Sequence, residues 1–330
     1  MDRFRRTTAA ARRSLWVPVS VALALVLGAC AGGAGPAATT SGGNAVLRVA
    51  QSTPAEWVQP VLAAQTGAFD RAHLSVRMNE FSSGRDALQA LSGGAVDIAM
   101  ATPSNVAPAV MGGEDLVVFG VVARWSSWRL VARGDRGITN PGSLVGKKIG
   151  VPTGTSADQS LGVLLASNGI SRNRVTIVNV APPDMNPALS NGSVDAVNVW
   201  QPNLSVLEAD IPATVSIPYH MPSSFLFVTT RGFADSNAAV LRRFLDANSA
   251  VDGMLTGDKG PALDLMTGPA RIKRPLLATI WKDFEFRTTG PGADTVGELA
   301  DAARFVIDNK SQPGPAPDFT KHVRQVGGGA

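Results

Sequence analysis

Short apolar runs alternate with longer amphipathic segments through most of this 330-residue chain. Short runs bounded by polar or glycine-containing stretches are typical of β-strands, whereas apolar residues spaced three and four apart predict helices. The predicted strands are 46–50, 74–78, 117–122, 129–132, 148–151 and 175–178. The predicted helices are 55–65, 85–91, 158–168, 237–254, 261–266 and 295–308.

One phrase occurs twice in the chain, 98 residues apart. Ala90-Leu-Ser-Gly-Gly-Ala-Val-Asp97 returns as Ala188-Leu-Ser-Asn-Gly-Ser-Val-Asp195. In each copy a helical pattern ends at a glycine, Gly94 or Gly192, and a short apolar strand follows. Glycine suits the left-handed position that ends a helix. Two matched helix–turn–strand units predict two lobes of similar architecture.

Strands that alternate with helices predict the α/β class, with a largely parallel sheet flanked by helices in each lobe. We assign residues 44–132 plus 232–330 to lobe I and residues 133–231 to lobe II. The chain would then cross twice between the lobes, and these crossings would form a hinge beside a ligand cleft. In such sheets the ligand lies at the carboxyl ends of the strands, near helix N-termini.

Residues 1–29 have the pattern of a signal peptide: five arginines, then an apolar run at 15–27, then small residues. The run is shorter than the roughly 20 residues that span a bilayer. It leads to Cys30, which resembles a lipobox cysteine; the alternative is a simple secretory signal with an incidental cysteine. The arginines fit either a twin-arginine signal or a plain basic one. Residues 31–43 contain only Gly, Ala, Ser, Thr and Pro, which predicts a flexible tether after the lipidated cysteine.

Charge and composition exclude several functions. Removal of residues 1–29 takes five arginines and one aspartate from 30 basic and 26 acidic residues, and leaves a neutral protein with no sign of nucleic-acid binding. Cys30 is the only cysteine, and the three histidines have no metal-ligand spacing. Since no complete catalytic motif is present, we expect neither an enzyme nor a metal or cofactor.

Three predicted strand-to-helix junctions carry small hydroxyl residues, at 81–84, 101–104 and 154–157. Free N–H groups and the helix dipole make a helix N-terminus an anion site, and hydroxyls add donors. The alternative at each junction is simple N-capping. Three such junctions at the places where a two-lobed cleft needs them favour ligand binding.

Aromatic and charged residues supplement these junctions. Trp200 ends a predicted strand and is expected to face the cleft, with core packing as the alternative. Arg124 would pair with a carboxylate or sulfonate, or else be a solvated loop residue. Trp57 is either a helix residue or a wall of the cleft. The expected ligand-binding residues are Ser52, Thr53, Ser82, Ser83, Thr102, Arg124, Trp125, Thr155, Ser156, Trp200 and Gln201.

An ordered series of motifs carries a family resemblance: Gly67-Ala-Phe69, Phe81-Ser-Ser-Gly84, Gly94-Ala-Val-Asp-Ile-Ala99, Leu144-Val-Gly-Lys-Lys-Ile-Gly-Val-Pro152 and Trp200-Gln-Pro202. The series resembles solute-binding lipoproteins of ABC importers for nitrate, sulfonates, taurine and thiamine-pyrimidine precursors. The resemblance covers about residues 46–232. It implies a two-lobed periplasmic-binding-protein fold of the type II kind. It also implies that six positions line the cleft: Ser82, Ser83, Thr102, Thr155, Ser156 and Trp200.

The resemblance implies an extracytoplasmic, lipid-anchored monomer that captures a small anionic or sulfonate-like solute by hinge closure. Its partners would be the solute, the permease and ATPase of an importer, and the membrane that holds the lipid. Binding of a thiamine-pyrimidine precursor and ligand sensing without transport are the alternatives. The enzyme branch of the wider group uses a cysteine-rich motif and a histidine, and this chain has no cysteine after Cys30.

The lipid anchor is tested by Cys30→Ser, because serine has no thiol to receive the lipid. We expect this variant to leave the membrane fraction and appear in the soluble fraction, measured by cell fractionation and immunoblotting. The matched control is Ser41→Ala in the predicted tether, which is expected to stay with the membrane. Recovery of Cys30→Ser in the membrane pellet would contradict lipid anchoring.

Overall fold

The computed structural model describes residues 37–53, 55–211, 213–309 and 311–326, so the predicted signal peptide and Cys30 lie outside the described residues. Within these ranges ten strands form one mixed sheet with helices packed on it. The strands are β1 Thr40–Ser41, β2 Asn44–Gln51, β3 Leu74–Glu80, β4 Ile98–Ala101, β5 Leu116–Arg133, β6 Lys148–Val151, β7 Thr176–Asn179, β8 Ala196–Val197, β9 Thr214–Thr230 and β10 Phe284–Thr289.

The helices lie between and after these strands. They are α1 Val58–Gln65, α2 Ala68–Arg71, α3 Gly84–Ser92, α4 Pro103–Met111, α5 Ser156–Ser167, α6 Met185–Ser190, α7 Asn203–Asp210, α8 Arg231–Ser236, α9 Ala238–Ser249, α10 Gly253–Thr256, α11 Gly260–Ala270, α12 Arg274–Ile280 and α13 Ala293–Asp308. No helix in the described part of the chain combines the length and apolar character that a bilayer crossing requires.

The sheet contains two equivalent sets of parallel strands. The first half-sheet is β3–β2–β4 and the second is β7–β6–β8, with the earliest strand of each set in the middle. The duplicated phrase occupies the same place in each half-sheet, and Gly94 and Gly192 have φ values of 73° and 78°, which confirms the predicted left-handed turns. The repeat in the sequence therefore corresponds to a repeat in the fold.

An identical pair of hydrogen bonds holds each copy of the repeat. The Arg48 N–H donates to the Asp97 carboxylate over 2.8 Å, and the Asp97 N–H donates back to the Arg48 carbonyl over 2.8 Å. In the second half-sheet Lys148 and Asp195 make the same two bonds, at 2.9 and 2.8 Å. The aspartate of the repeat thus fixes the start of β4 and β8 beside the middle strand of each half-sheet.

Two long antiparallel strands, β5 and β9, join the half-sheets. The end of β9 at 226–228 pairs with β4, and the end of β5 at 131–132 pairs with β8. The sequence predicted two short strands, 117–122 and 129–132, where the structure has the single strand β5. The segment between them continues the strand. Trp125 is buried there while Arg124 and Ser126 are half-buried, as expected for neighbouring residues on opposite faces of a strand. The division into two lobes stays a prediction.

Other parts of the fold also differ from the sequence-based expectations. The predicted tether ends earlier than residue 43, because β1 pairs with β2 and the Ala38 N–H donates to the Asn237 side chain over 2.8 Å. The predicted helix 237–254 is interrupted between α9 and α10. The unpredicted strand β10 pairs antiparallel with β5 and places Phe284 opposite Trp125.

Close packing at Gly84 supports the first turn of α3 against β4. A Cβ atom built on Gly84 would lie 2.8 Å from Asn105 Oδ1, 3.2 Å from Ala101 Cα and 3.3 Å from the Met100 carbonyl oxygen. Two of these neighbours are backbone atoms, which cannot move aside as a flexible side chain can. Helix and strand can therefore approach this closely only with glycine at this position.

We expect Gly84→Ala to lower the free energy of unfolding by about 1–3 kcal/mol, the usual cost of overpacking. The control is Gly297→Ala in α13, where a Cβ would meet no atom within 4 Å. That change should raise stability by up to about 1 kcal/mol because alanine favours helix. Urea denaturation of both variants measures the difference, and a fully stable Gly84→Ala protein would contradict the close approach of α3 and β4.

Candidate functional site

A cavity lies where loops from both half-sheets meet the middle of β5 and β9. It contains about 410 Å³ of space between protein atoms, including open solvent at its mouth. Seven of the eleven expected residues line it: Ser52, Ser83, Thr102, Trp125, Thr155, Ser156 and Trp200. The structure therefore brings together the hydroxyl junctions and tryptophans that the sequence singled out separately.

Three of the hydroxyls at this cavity already have protein partners. The Ser83 side chain accepts from the Asp86 N–H and donates to the Asp86 carboxylate over 2.8 Å. Thr102 Oγ1 donates to Asn105 Oδ1 over 2.9 Å, and Thr155 Oγ1 donates to the Pro152 carbonyl over 2.6 Å. In this structure these three hydroxyl groups therefore cap helices or support loops, which is the alternative to ligand binding.

The N-terminus of α5 is different. Its N-cap residue, Thr155, makes no capping hydrogen bond to the first turn. Ser156 begins the helix at the cavity wall, and its hydroxyl has no hydrogen-bond partner among the described residues. Asp158 in the same turn is paired with Arg172, so its charge is balanced. Uncapped N–H groups, the positive end of a 12-residue helix and a free hydroxyl can together hold an anionic group.

Aromatic rings form much of the cavity wall. Trp57, Trp125, Trp128, Trp200 and Phe225 all line it, and each tryptophan is at most 7% exposed. The Trp57 ring meets Phe225 edge-on at 4.9 Å, and the Trp125 ring lies 4.5 Å from that of Trp128. The rings are thus core residues on one side and cavity wall on the other, so that both interpretations of these tryptophans apply.

The indole nitrogens differ in how they are used. Trp57 Nε1 donates to Ser52 Oγ over 2.8 Å, and Trp128 Nε1 donates to the Met221 carbonyl over 3.1 Å. Trp125 Nε1 is buried without a partner among the described residues, and its ring is held in place by stacking on Phe284 of β10 at 5.7 Å. Trp125 therefore offers an unused donor on a rigid ring.

The sequence analysis did not identify Glu56 as a site residue. Its side chain lines the cavity and is only 2% exposed. One carboxyl oxygen, Oε2, accepts from the Thr53 hydroxyl over 3.1 Å, and Oε1 is buried without a partner. Burial raises the pKa of Glu56 well above its ordinary value, and the bond from Thr53 opposes this only in part. Among the described residues that line the cavity, Glu56 is the only one with an acidic or basic side chain.

Four expected residues do not line the cavity. Arg124 lies on the opposite face of β5 from Trp125, with its guanidinium 4.0 Å from the Asp294 carboxylate of α13. Ser82 donates to Asp86, and Thr53 donates to Glu56. Gln201 is buried, and its side-chain oxygen accepts from the Ser205 N–H over 3.2 Å. The structure thus places the expected anion-binding arginine outside the cavity.

Several cavity residues were missed because their elements were not predicted. Ser223 and Phe225 belong to β9, and Trp128 belongs to the part of β5 that lies between the two predicted strands 117–122 and 129–132. Asn105 is in the first turn of α4, three residues after Thr102. The alternation of apolar residues with polar residues or proline at 215–222 is the signal that would have revealed this strand.

The mixed α/β sheet with flanking helices is the fold of periplasmic binding proteins, which confirms the predicted fold class. The chain belongs to the NMT1/THI5-like family, whose model matches residues 57–252. The resemblance that the motifs indicated is therefore confirmed.

The chain is also similar to known relatives and, in fold, to solved structures. The taurine-binding periplasmic protein of Escherichia coli K12 is 30% identical over 211 residues, which are 62% of this chain and 64% of that protein. The alkanesulfonate-binding protein SsuA from Xanthomonas axonopodis pv. citri, bound to MOPS, has a TM-score of 0.74 at 19% identity and covers 85% of this chain and 99% of its own. The desulfurization enzyme DSZB has a TM-score of 0.61 at 13% identity and covers 85% and 97%.

The buried carboxyl group of Glu56 gives a testable dependence of stability on pH. A pKa raised by folding means that the folded protein binds this proton more tightly than the unfolded chain. Its contribution to stability is therefore complete below the ordinary glutamate pKa and is lost as the pH rises towards the raised value. Glu56→Gln has no charge to bury. We expect it to exceed the wild type in unfolding free energy at pH 8 by about 1–3 kcal/mol, the usual penalty for an unpartnered buried polar group.

The control for this prediction is Glu208→Gln. Burial alone would raise the pKa of Glu208, but hydrogen bonds from Arg129 and Ser216 outweigh it and lower that pKa. Glu208→Gln should therefore destabilise the protein at pH 8, and the loss should shrink as the pH falls through the lowered pKa. Urea denaturation at pH 4, 6 and 8 measures both variants. An unchanged pH dependence in Glu56→Gln would show that Glu56 is not buried as described.

Proposed function

We propose that this protein is the extracytoplasmic solute-binding protein of an ABC importer for a small sulfonate-class solute. The observation that carries the proposal is the uncapped N-terminus of α5, with the free Ser156 hydroxyl, at the wall of a tryptophan-lined cavity. Taurine and alkanesulfonates, which the names of the relatives give as their ligands, combine an anionic head with a short organic part. The cavity offers a wall suited to each.

The anionic head would be held without a basic side chain. The described residues that line the cavity include no Lys, Arg or His. Sulfonate oxygens would accept from first-turn N–H groups of α5 and from the hydroxyls of Ser156 and Ser223. The helix dipole supplies about half a positive charge at this position. Neutral donors suffice for a singly charged anion whose removal from water is compensated by several hydrogen bonds.

Closure of the two predicted lobes about β5 and β9 would capture the solute, and reopening would release it. Helices α3 and α4 already contact the segment before α5 beside the cavity. The Asn105 side chain donates to the Gly154 carbonyl over 3.4 Å, and Arg85 donates to the Thr153 carbonyl over 3.2 Å. This arrangement fits a closed state. A solute would favour that state only by as much as it binds it better than the open one, and the closed form would be the one that a permease recognises.

Binding without catalysis is part of the proposal, since a desulfurization enzyme shares the fold. The chain's one cysteine is Cys30, at the predicted lipidation position, and the cavity holds a single ionisable carboxyl group. A lipid on Cys30 would hold the protein at the outer face of the membrane beside its permease. Export and anchoring thus complete the importer role.

Ser156→Ala tests the proposed anion site. It removes one hydrogen bond to the ligand and none within the protein, so we expect about a tenfold loss of affinity for the best sulfonate with an unchanged melting temperature. The ligand is first found by thermal shift with nitrate, bicarbonate, taurine, alkanesulfonates and thiamine pyrimidines, because a ligand at a hundred times its Kd adds about 2.7 kcal/mol of stability. Affinities are then measured by titration calorimetry.

The matched control is Ser167→Ala, at the other end of the same helix, which should leave the affinity unchanged. Equal affinities of Ser156→Ala and the wild type would contradict the proposed anion site. Stabilisation by a thiamine pyrimidine and by no sulfonate would overturn the sulfonate function and favour the pyrimidine-precursor alternative.

A further inference from the structure

A buried acid inside a cavity proposed to bind an anion calls for a specific explanation. Glu56 is 2% exposed, and its Oε1 atom is buried without a hydrogen-bond partner among the described residues. Buried carboxyl oxygens normally have a donor, because leaving one unpartnered costs the full desolvation of the group. None of the other lining side chains donates to Oε1 in this structure, and a group that enters the cavity can supply the donor.

The chemistry around Glu56 identifies that donor as a protonated amine. An ammonium group provides N–H donors for Oε1 and a positive charge for the carboxylate. Its positive charge is also favoured by the faces of aromatic rings. Trp57 is the next residue in the chain, and Trp125, Trp128, Trp200 and Phe225 complete the aromatic wall. A ligand with negative charge alone would leave Oε1 without a donor.

The Glu56 carboxyl group and the N-terminus of α5 come from equivalent places in the fold. Glu56 lies in the connection after β2, the middle strand of the first half-sheet, and Ser156 follows β6, the middle strand of the second. One half-sheet thus supplies the acid and the other supplies the anion-binding helix end. A ligand that carries both charges makes a charged contact with both half-sheets, whereas a ligand with one charge makes such a contact with only one of them.

We propose that Glu56 is the specificity-determining residue of the site and that it selects sulfonates bearing a protonated amino group over sulfonates that lack one. This inference rests on the proposed sulfonate-binding function and adds to it the second charged group of the substrate. The amine pairs with Glu56 within the aromatic wall, and the sulfonate lies at the N-terminus of α5. Because each group is held by a different half-sheet, the zwitterion favours closure more than either charge does alone.

The test compares ligands that differ only in the amine. Titration calorimetry on the full-length protein uses taurine against ethanesulfonate, and 3-aminopropanesulfonate against propanesulfonate. In the wild type we expect each amino-sulfonate to bind at least tenfold more tightly than its partner. Glu56→Gln should reduce that ratio at least tenfold by weakening the amino-sulfonates, with alkanesulfonate binding unchanged or tighter. Glu56→Asp, which keeps the charge, should restore part of the ratio.

Glu208→Gln, which removes a carboxylate that pairs with Arg129 away from the cavity, is the matched control and should keep the wild-type ratio. Equal or tighter wild-type binding of the alkanesulfonates would overturn the role of Glu56 while leaving the sulfonate function intact. A ratio that stays at its wild-type value in Glu56→Gln would overturn that role in the same way. Binding of none of the four compounds by the wild type would overturn the sulfonate function itself.

Discussion

The pairing of β5 with β9 ties the two half-sheets together and forms one side of the cavity. These two strands run antiparallel from Leu116 to Arg133 and from Thr214 to Thr230, and they pair at one end with β4 and at the other with β8. They are therefore the backbone common to both half-sheets. The same strands place Trp125, Trp128, Ser223 and Phe225 at the cavity. Because Trp125, Trp128 and Phe225 sit on hydrogen-bonded strands, this part of the aromatic wall is rigid. Most of the polar groups come instead from segments that approach it from either half-sheet.

Duplication within the fold explains how one cavity acquires two kinds of chemistry. The reciprocal bonds of Asp97 with Arg48 and of Asp195 with Lys148 show that the half-sheets share one local design. The loops after the middle strands do not take part in these shared hydrogen bonds, since they are not paired in the sheet. One of them carries Glu56, and the other carries Thr155 and Ser156 at the start of α5. A common scaffold with divergent loops is how α/β folds generally acquire specificity.

The sequence predicted those parts that local patterns determine, and missed those that depend on distant neighbours. The strand at 148–151 and both glycine turns followed from short apolar runs and left-handed positions. Strand β9 was missed because Pro218 and Pro222 argue against a strand within a sheet, and only its long partner β5 overrides them. Arg124 was misplaced for a related reason. Once 116–133 is one strand, alternation sends Arg124 and Trp125 to opposite faces, so both cannot serve the same cavity. Glu56 carries no local signal, because a single acid at the start of the predicted helix 55–65 resembles a solvated residue until the fold buries it.

Burial of Glu56 is explained by ligand binding and not by folding. Within the protein the carboxyl group has one donor, from Thr53, and desolvation raises its pKa. Burial of the carboxyl group therefore works against folding once the pH is high enough to ionise it. Proteins keep such destabilising groups at functional sites, where a ligand later supplies the missing partner. The desolvation of the carboxyl group, which disfavours folding, then favours one kind of ligand over another. Only a ligand with a matching donor satisfies the carboxyl group.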